Sequence, residues 1–157
     1  MKIGIGYDIH RLEQGRKLYL GGKEIPFSLG LVGHSDGDCL IHAIIDALLG
    51  AMGEGDIGQL FPDTEVKYKD IRSTELLKEV MMRLKKNNFK IIHTDSIIIA
   101  EKPKLASYLL DMKKVLCPIL QIKENALGIK AKTNEGLGVE GKGKAVACWA
   151  TVLVKKK

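Results

Sequence analysis

The run CLIHAIIDALL, from Cys39 to Leu49, constrains this chain more than any other stretch. Only His42 and Asp46 interrupt its apolar character. A helix of this composition is apolar almost all round and has to be buried. With Asp38 just before it, Asp38, His42 and Asp46 recur every fourth residue and make one polar stripe along such a helix. A charge inside a protein needs a partner or a metal ion. The stripe therefore either faces solvent or lines a site. The helix is expected from about Asp36 to Gly50, with Ser35 or Asp36 as its cap and Gly50 or Gly53 as its stop.

The flanking sequence alternates strands and helices without repeats or linkers. KIGIGYDIH reads as a strand ending in polar residues, and RKLYLGGKEIPF as a hairpin turning at Gly21-Gly22. Residues 26–36 are expected to form a loop. The Gly-, Asp- and Pro-bearing stretch GEGDIGQLFPDTEVKYKD reads as a long irregular segment, which in a compact domain is usually functional or mobile. STELLKEVMMRLKKNN places Leu76, Leu77, Val80, Met81 and Leu84 on one helical face, with Ser73 as a cap. KIIHTDSIIIAEKP is a β-branched strand stopped by Pro103, and KLASYLLDMKKVL is a third helix disturbed by Pro118. ALGIKAKTNEG is a strand breaking into a Gly-rich loop, and AVACWATVLV a mostly buried strand. This order predicts an α+β sandwich, one domain over residues 1–157, with helices packed on one face of a sheet.

Composition narrows the function classes. The chain carries a formal charge of +6, but only 5% of it is aromatic and no stacking platform is visible, so nucleic acid is not the expected partner. A basic surface equally suits an anionic small molecule. No apolar run approaches the ~20 residues of a membrane span, and MKIGIGYDIH does not read as a signal peptide. Cys39, Cys117 and Cys148 are widely spaced and odd in number, which predicts reduced thiols in a cytosol-like compartment.

Asp8 and His10 are two apart on the first strand, so their side chains point the same way. With His42 they would make an N/N/O set, the ligand type of a catalytic zinc site with its fourth position open. An Asp of the stripe would then orient His42 from behind. The bland alternative is that the stripe is solvated and Asp8 merely ends a strand. Two further stretches suit phosphate. In HSDGD, Ser35 and backbone N–H groups stand at a helix start, where anions are favoured. In KTNEG, Lys132, Thr133 and Glu135 offer an ammonium, a hydroxyl and a carboxylate for a second hard cation. A simple cap and a simple turn remain the alternatives.

GYDIHR, HSDGD with the following His42 and DALLGA, GDIGQLFPDT, EKPK and KTNEGLG occur in one order from about Lys2 to Val154. In this the chain resembles the 2-C-methyl-D-erythritol 2,4-cyclodiphosphate synthase family of non-mevalonate isoprenoid biosynthesis. The resemblance implies a bacterial cytoplasmic enzyme, or a plastid one if a longer precursor exists. It implies a ferredoxin-like subunit with a mixed sheet, in a homotrimer whose sheets face a central cavity and whose active sites lie between subunits. The implied reaction is attack of the 2-phosphate of 4-diphosphocytidyl-2-C-methyl-D-erythritol 2-phosphate on the β-phosphate, with loss of CMP.

Carried over residue by residue, Asp8, His10 and His42 match the zinc ligands. His34 and Thr133 match residues that stabilise the transition state. Asp56, Ile57 and Gly58 match the ribose and erythritol region, and Phe61, Pro62 and Asp63 the erythritol pocket. Ala100, Pro103, Lys104 and Leu105 match the cytosine loop. Ser35, Lys132, Thr133 and Glu135 match the phosphate segments, Glu135 with Mg²⁺ or Mn²⁺ as the second cation. Val139 and Lys142 stand where many relatives carry an aromatic residue and an Arg near the trimer cavity. Val stacks nothing and Lys lacks the bidentate fork, so weak isoprenoid binding is expected there. A zinc phosphohydrolase releasing an open-chain product and a non-enzymatic metal-stabilised module are the rival readings.

Overall fold

The computed structural model describes residues 1–157. Strand β1 (Lys2–Gln14) pairs antiparallel with the last strand, β7 (Ala145–Lys156), over nearly its whole length. β7 pairs on its other side with β5 (Phe89–Ile99), and β5 pairs in parallel with β6 (Leu127–Lys132). A short strand, β4 (Leu29–Leu31), adds to the far end of β1. The five-stranded sheet thus runs β4-β1-β7-β5-β6 and is mixed. A separate hairpin of β2 (Leu18–Leu20) and β3 (Lys23–Ile25) turns at Gly21 and Gly22, both at positive φ, as the Gly-Gly pair predicts.

Three main helices accompany the sheet: α1 (Cys39–Met52), α3 (Ser73–Lys86) and α4 (Leu109–Leu120). Two single-turn helices, α2 (Ile57–Leu60) and α5 (Gly138–Gly141), lie in the loops. The mixed α+β architecture agrees with the sequence reading, and several boundaries differ. Residues 26–36 contain β4, a three-residue strand too short to show a pattern. The irregular stretch after α1 contains α2 and a 3₁₀ turn at Val66–Tyr68. The third helix starts at Leu109, after a 3₁₀ turn, and includes Pro118 near its end. No helix is long and apolar enough to cross a membrane. All three cysteines are buried and free.

α1 is buried at eleven positions and is the centre of the core. It starts at Cys39 rather than Asp36, because Asp38 is the residue whose carboxylate accepts the Ile41 N–H. It stops at Gly53, whose left-handed conformation suits a C-terminal glycine. The helix lies directly on β1. A Cβ at Gly4 would sit 1.8 Å from the Ala47 carbonyl oxygen, and one at Gly6 would sit 1.9 Å from that of Ala43. Glycines on the strand and alanines on the helix therefore let the two backbones meet.

This contact predicts that Gly6→Ala lowers stability by at least the ~1–3 kcal/mol typical of an overpacked core. The obstacle is backbone, which cannot rotate aside. A thermal melt checks this, and an unchanged melting temperature contradicts the packing account.

Candidate metal centre and active site

Alternate residues on a strand share a face, so Asp8 and His10 project on the side where Gly4 and Gly6 meet α1. His42 precedes Ala43 in the first turns of that helix. The close packing thus carries a carboxylate and two imidazoles to one point. Asp8 Oδ2 lies 2.8 Å from His10 Nε2 and 3.0 Å from His42 Nδ1, and the two ring nitrogens are 3.1 Å apart.

His10 is oriented from behind. Its Nδ1 lies 2.6 Å from the Val32 carbonyl oxygen, which can only accept, so Nδ1 carries a proton and Nε2 is the atom turned inward, toward Asp8. Burial pushes the Asp8 carboxyl up, but its contacts with the His10 and His42 imidazoles outweigh it and hold the group well below the usual carboxylate range. Burial pushes His10 down, and Asp8 outweighs that, so its imidazole is raised.

The donor set suits a divalent ion. Three ligand atoms, two nitrogens and one carboxylate oxygen, all lie within 4.8 Å of one another. Zinc–nitrogen bonds near 2.0–2.1 Å make a tetrahedral edge of about 3.3 Å, a few tenths longer than the observed separations. Three protein ligands leave one side of the triangle for another group.

That side faces a cavity of about 240 Å³. His34, Ser35, Ile57, Gly58, Phe61 and Asp63 from the sequence reading line it beside the triangle. Tyr68 and Leu76 line it too and were not anticipated. Asp56 and Pro62 do not line it. Asp56 instead caps α2 by accepting the Gln59 N–H. The His34 ring nitrogen Nε2 donates to the Glu65 carbonyl at 3.2 Å. Ser35 is buried, and its Oγ is turned to His42 Nε2 at 3.1 Å.

The remaining expected residues form a second group. The Ala100 N–H donates to the Lys132 carbonyl, which ties the segment 100–105 to the end of β6. Ala100 and Leu105 are buried, whereas Lys104, Lys132, Thr133 and Glu135 are exposed. Glu135 holds φ 52° and Gly136 φ 75°, a left-handed pair at a turn where a non-glycine residue is strained. Val139 and Lys142, in and just after α5, are exposed as well. None of these residues lines the metal-side cavity. Ile9 and Ile99 both pair with Ala147, and Lys132 pairs with Ile99. Both groups therefore occupy the same end of the sheet, three strand spacings or about 14 Å apart.

The polar stripe is the main correction. Asp38 does not face His42. Its buried carboxylate accepts the N–H groups of Gly21 and Gly22 at 3.0 and 2.7 Å, besides capping α1. Asp46 accepts the Ile57 N–H at 2.8 Å and anchors the loop that walls the cavity. His42 is contacted instead by Ser73, which is not the cap expected from the sequence: it is the first residue of α3, Arg72 stands at the cap position, and no side chain caps the helix. The Ser73 Oγ lies 2.9 Å from His42 Nε2. Asp36 in turn accepts from the Ser73 hydroxyl. A separation of 31 residues gives no local signal for that contact.

Comparison with known proteins agrees with this geometry. The model of the YgbB family matches residues 1–155. A 2-C-methyl-D-erythritol 2,4-cyclodiphosphate synthase from Caldicellulosiruptor bescii is 54% identical over 153 residues, covering 98% of each chain. The solved structure of a 2C-methyl-D-erythritol-2,4-cyclodiphosphate synthase in a CDP-bound form superposes with a TM-score of 0.91 at 38% identity. That match covers 98% of this chain and all of that one. The bifunctional IspDF of Campylobacter jejuni superposes with a TM-score of 0.95 at 38% identity, over 99% of this chain, which spans 42% of that longer protein. The chain belongs to the YgbB family, that of the 2-C-methyl-D-erythritol 2,4-cyclodiphosphate synthases.

Proposed function

We propose that this protein converts 4-diphosphocytidyl-2-C-methyl-D-erythritol 2-phosphate to 2-C-methyl-D-erythritol 2,4-cyclodiphosphate and CMP. An oxygen of the 2-phosphate forms a bond to the β-phosphorus. The bond from that phosphorus to the bridging oxygen breaks, and CMP leaves with the bridging oxygen. The observation that carries this reading is the Asp8–His10–His42 triangle at the wall of a cavity, in a chain of this family.

The nucleophile is already an anion, so the site needs no strong general base. Its tasks are to bring two anionic phosphates together and to orient them. Asp8, His10 and His42 are assigned to hold zinc or a similar transition metal. Glu135 is assigned to Mg²⁺ or Mn²⁺, with substrate phosphates completing the coordination because one carboxylate does not hold such an ion. These cations, when bound, neutralise and polarise phosphate oxygens. His34 and Thr133 supply hydrogen bonds to charge developing at the reacting phosphorus. Lys132 balances phosphate charge, and Ser35, in the loop before α1, belongs to the phosphate side of the cavity wall. Asp56, Ile57 and Gly58 hold the ribose and erythritol region, and Phe61, Pro62 and Asp63 belong to the erythritol pocket. Ala100, Pro103, Lys104 and Leu105 receive the cytosine. Val139 and Lys142 border the substrate region on the side of the trimer cavity. Intramolecular attack lets positioning contribute roughly 7–11 kcal/mol, and a closed cavity keeps out the water that would hydrolyse the diphosphate.

The reading includes a homotrimer of ferredoxin-like, single-domain subunits in the cytoplasm, with no membrane or nucleic-acid partner. Ile3, Ile5, Tyr7, Ile9 and Trp149 are all exposed on the outer face of the sheet. Contiguous apolar patches of that kind mark interaction surfaces. The neighbouring subunit is assigned to bring the Lys132–Glu135 and Ala100–Leu105 segments to the metal-side cavity.

Chelator treatment tests the metal's part. The stripped protein is expected to release no CMP, and added zinc to restore release. CMP release at the original rate after complete metal removal contradicts the assignment.

A further inference from the structure

We infer that Asp36 and Ser73 act as a relay that fixes the His42 ring in the tautomer presenting the Nδ1 lone pair to Asp8 and His10. The inference rests on the proposal that this triangle holds a metal. Asp36 is almost fully buried, and four donors converge on its carboxylate. Oδ2 accepts the Ser73 N–H and the Arg72 Nε–H, both at 3.0 Å. Oδ1 accepts the Asp38 N–H at 3.2 Å and the Ser73 hydroxyl. The single hydroxyl proton of Ser73 is therefore committed to Asp36. Its Oγ has only lone pairs left for His42 Nε2, 2.9 Å away.

A bare Nε2 would set its lone pair against that of the Ser73 oxygen, so Nε2 carries the ring proton and donates it, while the Ser35 hydroxyl turns its own proton to Ser73 Oγ, 3.5 Å away. Ser35 Oγ, 3.1 Å from the same nitrogen, already accepts the Gly37 N–H and has room to accept this one as well. A neutral imidazole has one N–H, so Nδ1 keeps its lone pair, and Nδ1 is the atom 3.0 Å from Asp8 Oδ2. Arg72 steadies the relay from outside. It lies over the Tyr19 ring at 4.0 Å and donates to the Gly22 carbonyl at 2.9 Å. Both rings of the triangle are thus set from behind, His10 by a backbone carbonyl and His42 by a carboxylate acting through a hydroxyl. Ser73 is a positioning residue, fully buried and not part of the cavity lining.

The test uses the full-length chain and zinc itself. Zinc affinity, measured by chelator competition, is expected to fall about 10- to 100-fold in Ser73→Ala, the usual effect of losing such a partner. Affinity within threefold of the parent overturns the relay. If Ser73→Ala does not fold, the long-range proton–nitrogen spectrum of the unsubstituted, metal-stripped protein decides. His42 protonated at Nε2 supports the inference, and His42 protonated at Nδ1 overturns it. A purely structural Ser73 would lower the melting temperature without setting that tautomer. Should the unsubstituted chain bind no zinc at all, the metal reading fails, and the same spectrum still judges the relay on its own.

Discussion

His42→Ala is expected to abolish stoichiometric metal binding and turnover while the chain stays folded. The substitution removes one of three protein ligands and leaves Asp8 and His10 facing each other across the triangle. Charge stabilisation by a bound metal is worth several kcal/mol. At a factor of ten per 1.4 kcal/mol, its loss lowers kcat by roughly a thousandfold or more. The cost to the fold is smaller. Ser73 and Ser35 lose a partner for their hydroxyls, about 1–3 kcal/mol for unsatisfied buried polar groups. The apolar positions of α1 and its contact with β1 are untouched. Metal analysis, a melting curve and CMP release on one preparation separate these effects. A variant with full metal and full turnover contradicts the site.

Mixing two inactive variants is expected to restore activity. His42→Ala lacks the metal side, and Thr133→Ala lacks the group just past the end of β6, three strands away. If each active site joins the metal side of one subunit to the Thr133 side of its neighbour, hybrid assemblies contain intact sites. Random assembly of equal amounts makes about one site in four complete. Unfolding and refolding the two together, then assaying CMP release, reads this directly. A mixture as inactive as either parent shows that both groups serve the site of one subunit. The 14 Å between them within the sheet and the apolar outer face with Ile3, Ile5 and Trp149 both favour recovery.

How much of this was legible in the sequence varied with the range of the interactions. Strand alternation placed Asp8 and His10 on one side, and the Gly21-Gly22 turn followed from the need for positive φ. The amphipathic face of α3 also emerged as read, with Leu76, Leu77, Val80, Met81 and Leu84 buried. Those features depend on neighbours in the chain. β4 did not show, because pairing with Glu13 and its neighbours makes it a strand. The stripe of Asp38, His42 and Asp46 was read as one surface because helical spacing alone says so. Asp38 in fact lies before the first turn and turns to the hairpin's N–H groups. Nothing local in Ser73 distinguishes a helix cap from a partner of His42. The ordered motifs brought in the second group of residues, which neither spacing nor a single subunit's cavity connects to the metal side.

Phosphorus NMR of the product made from 4-diphosphocytidyl-2-C-methyl-D-erythritol 2-phosphate tests the central claim most directly. The account predicts the two coupled resonances of a cyclic diphosphate, with CMP in equal amount and no accumulation of inorganic phosphate. An open-chain phosphate product, or CMP released without the cyclic species, contradicts it and identifies the site as that of a hydrolase.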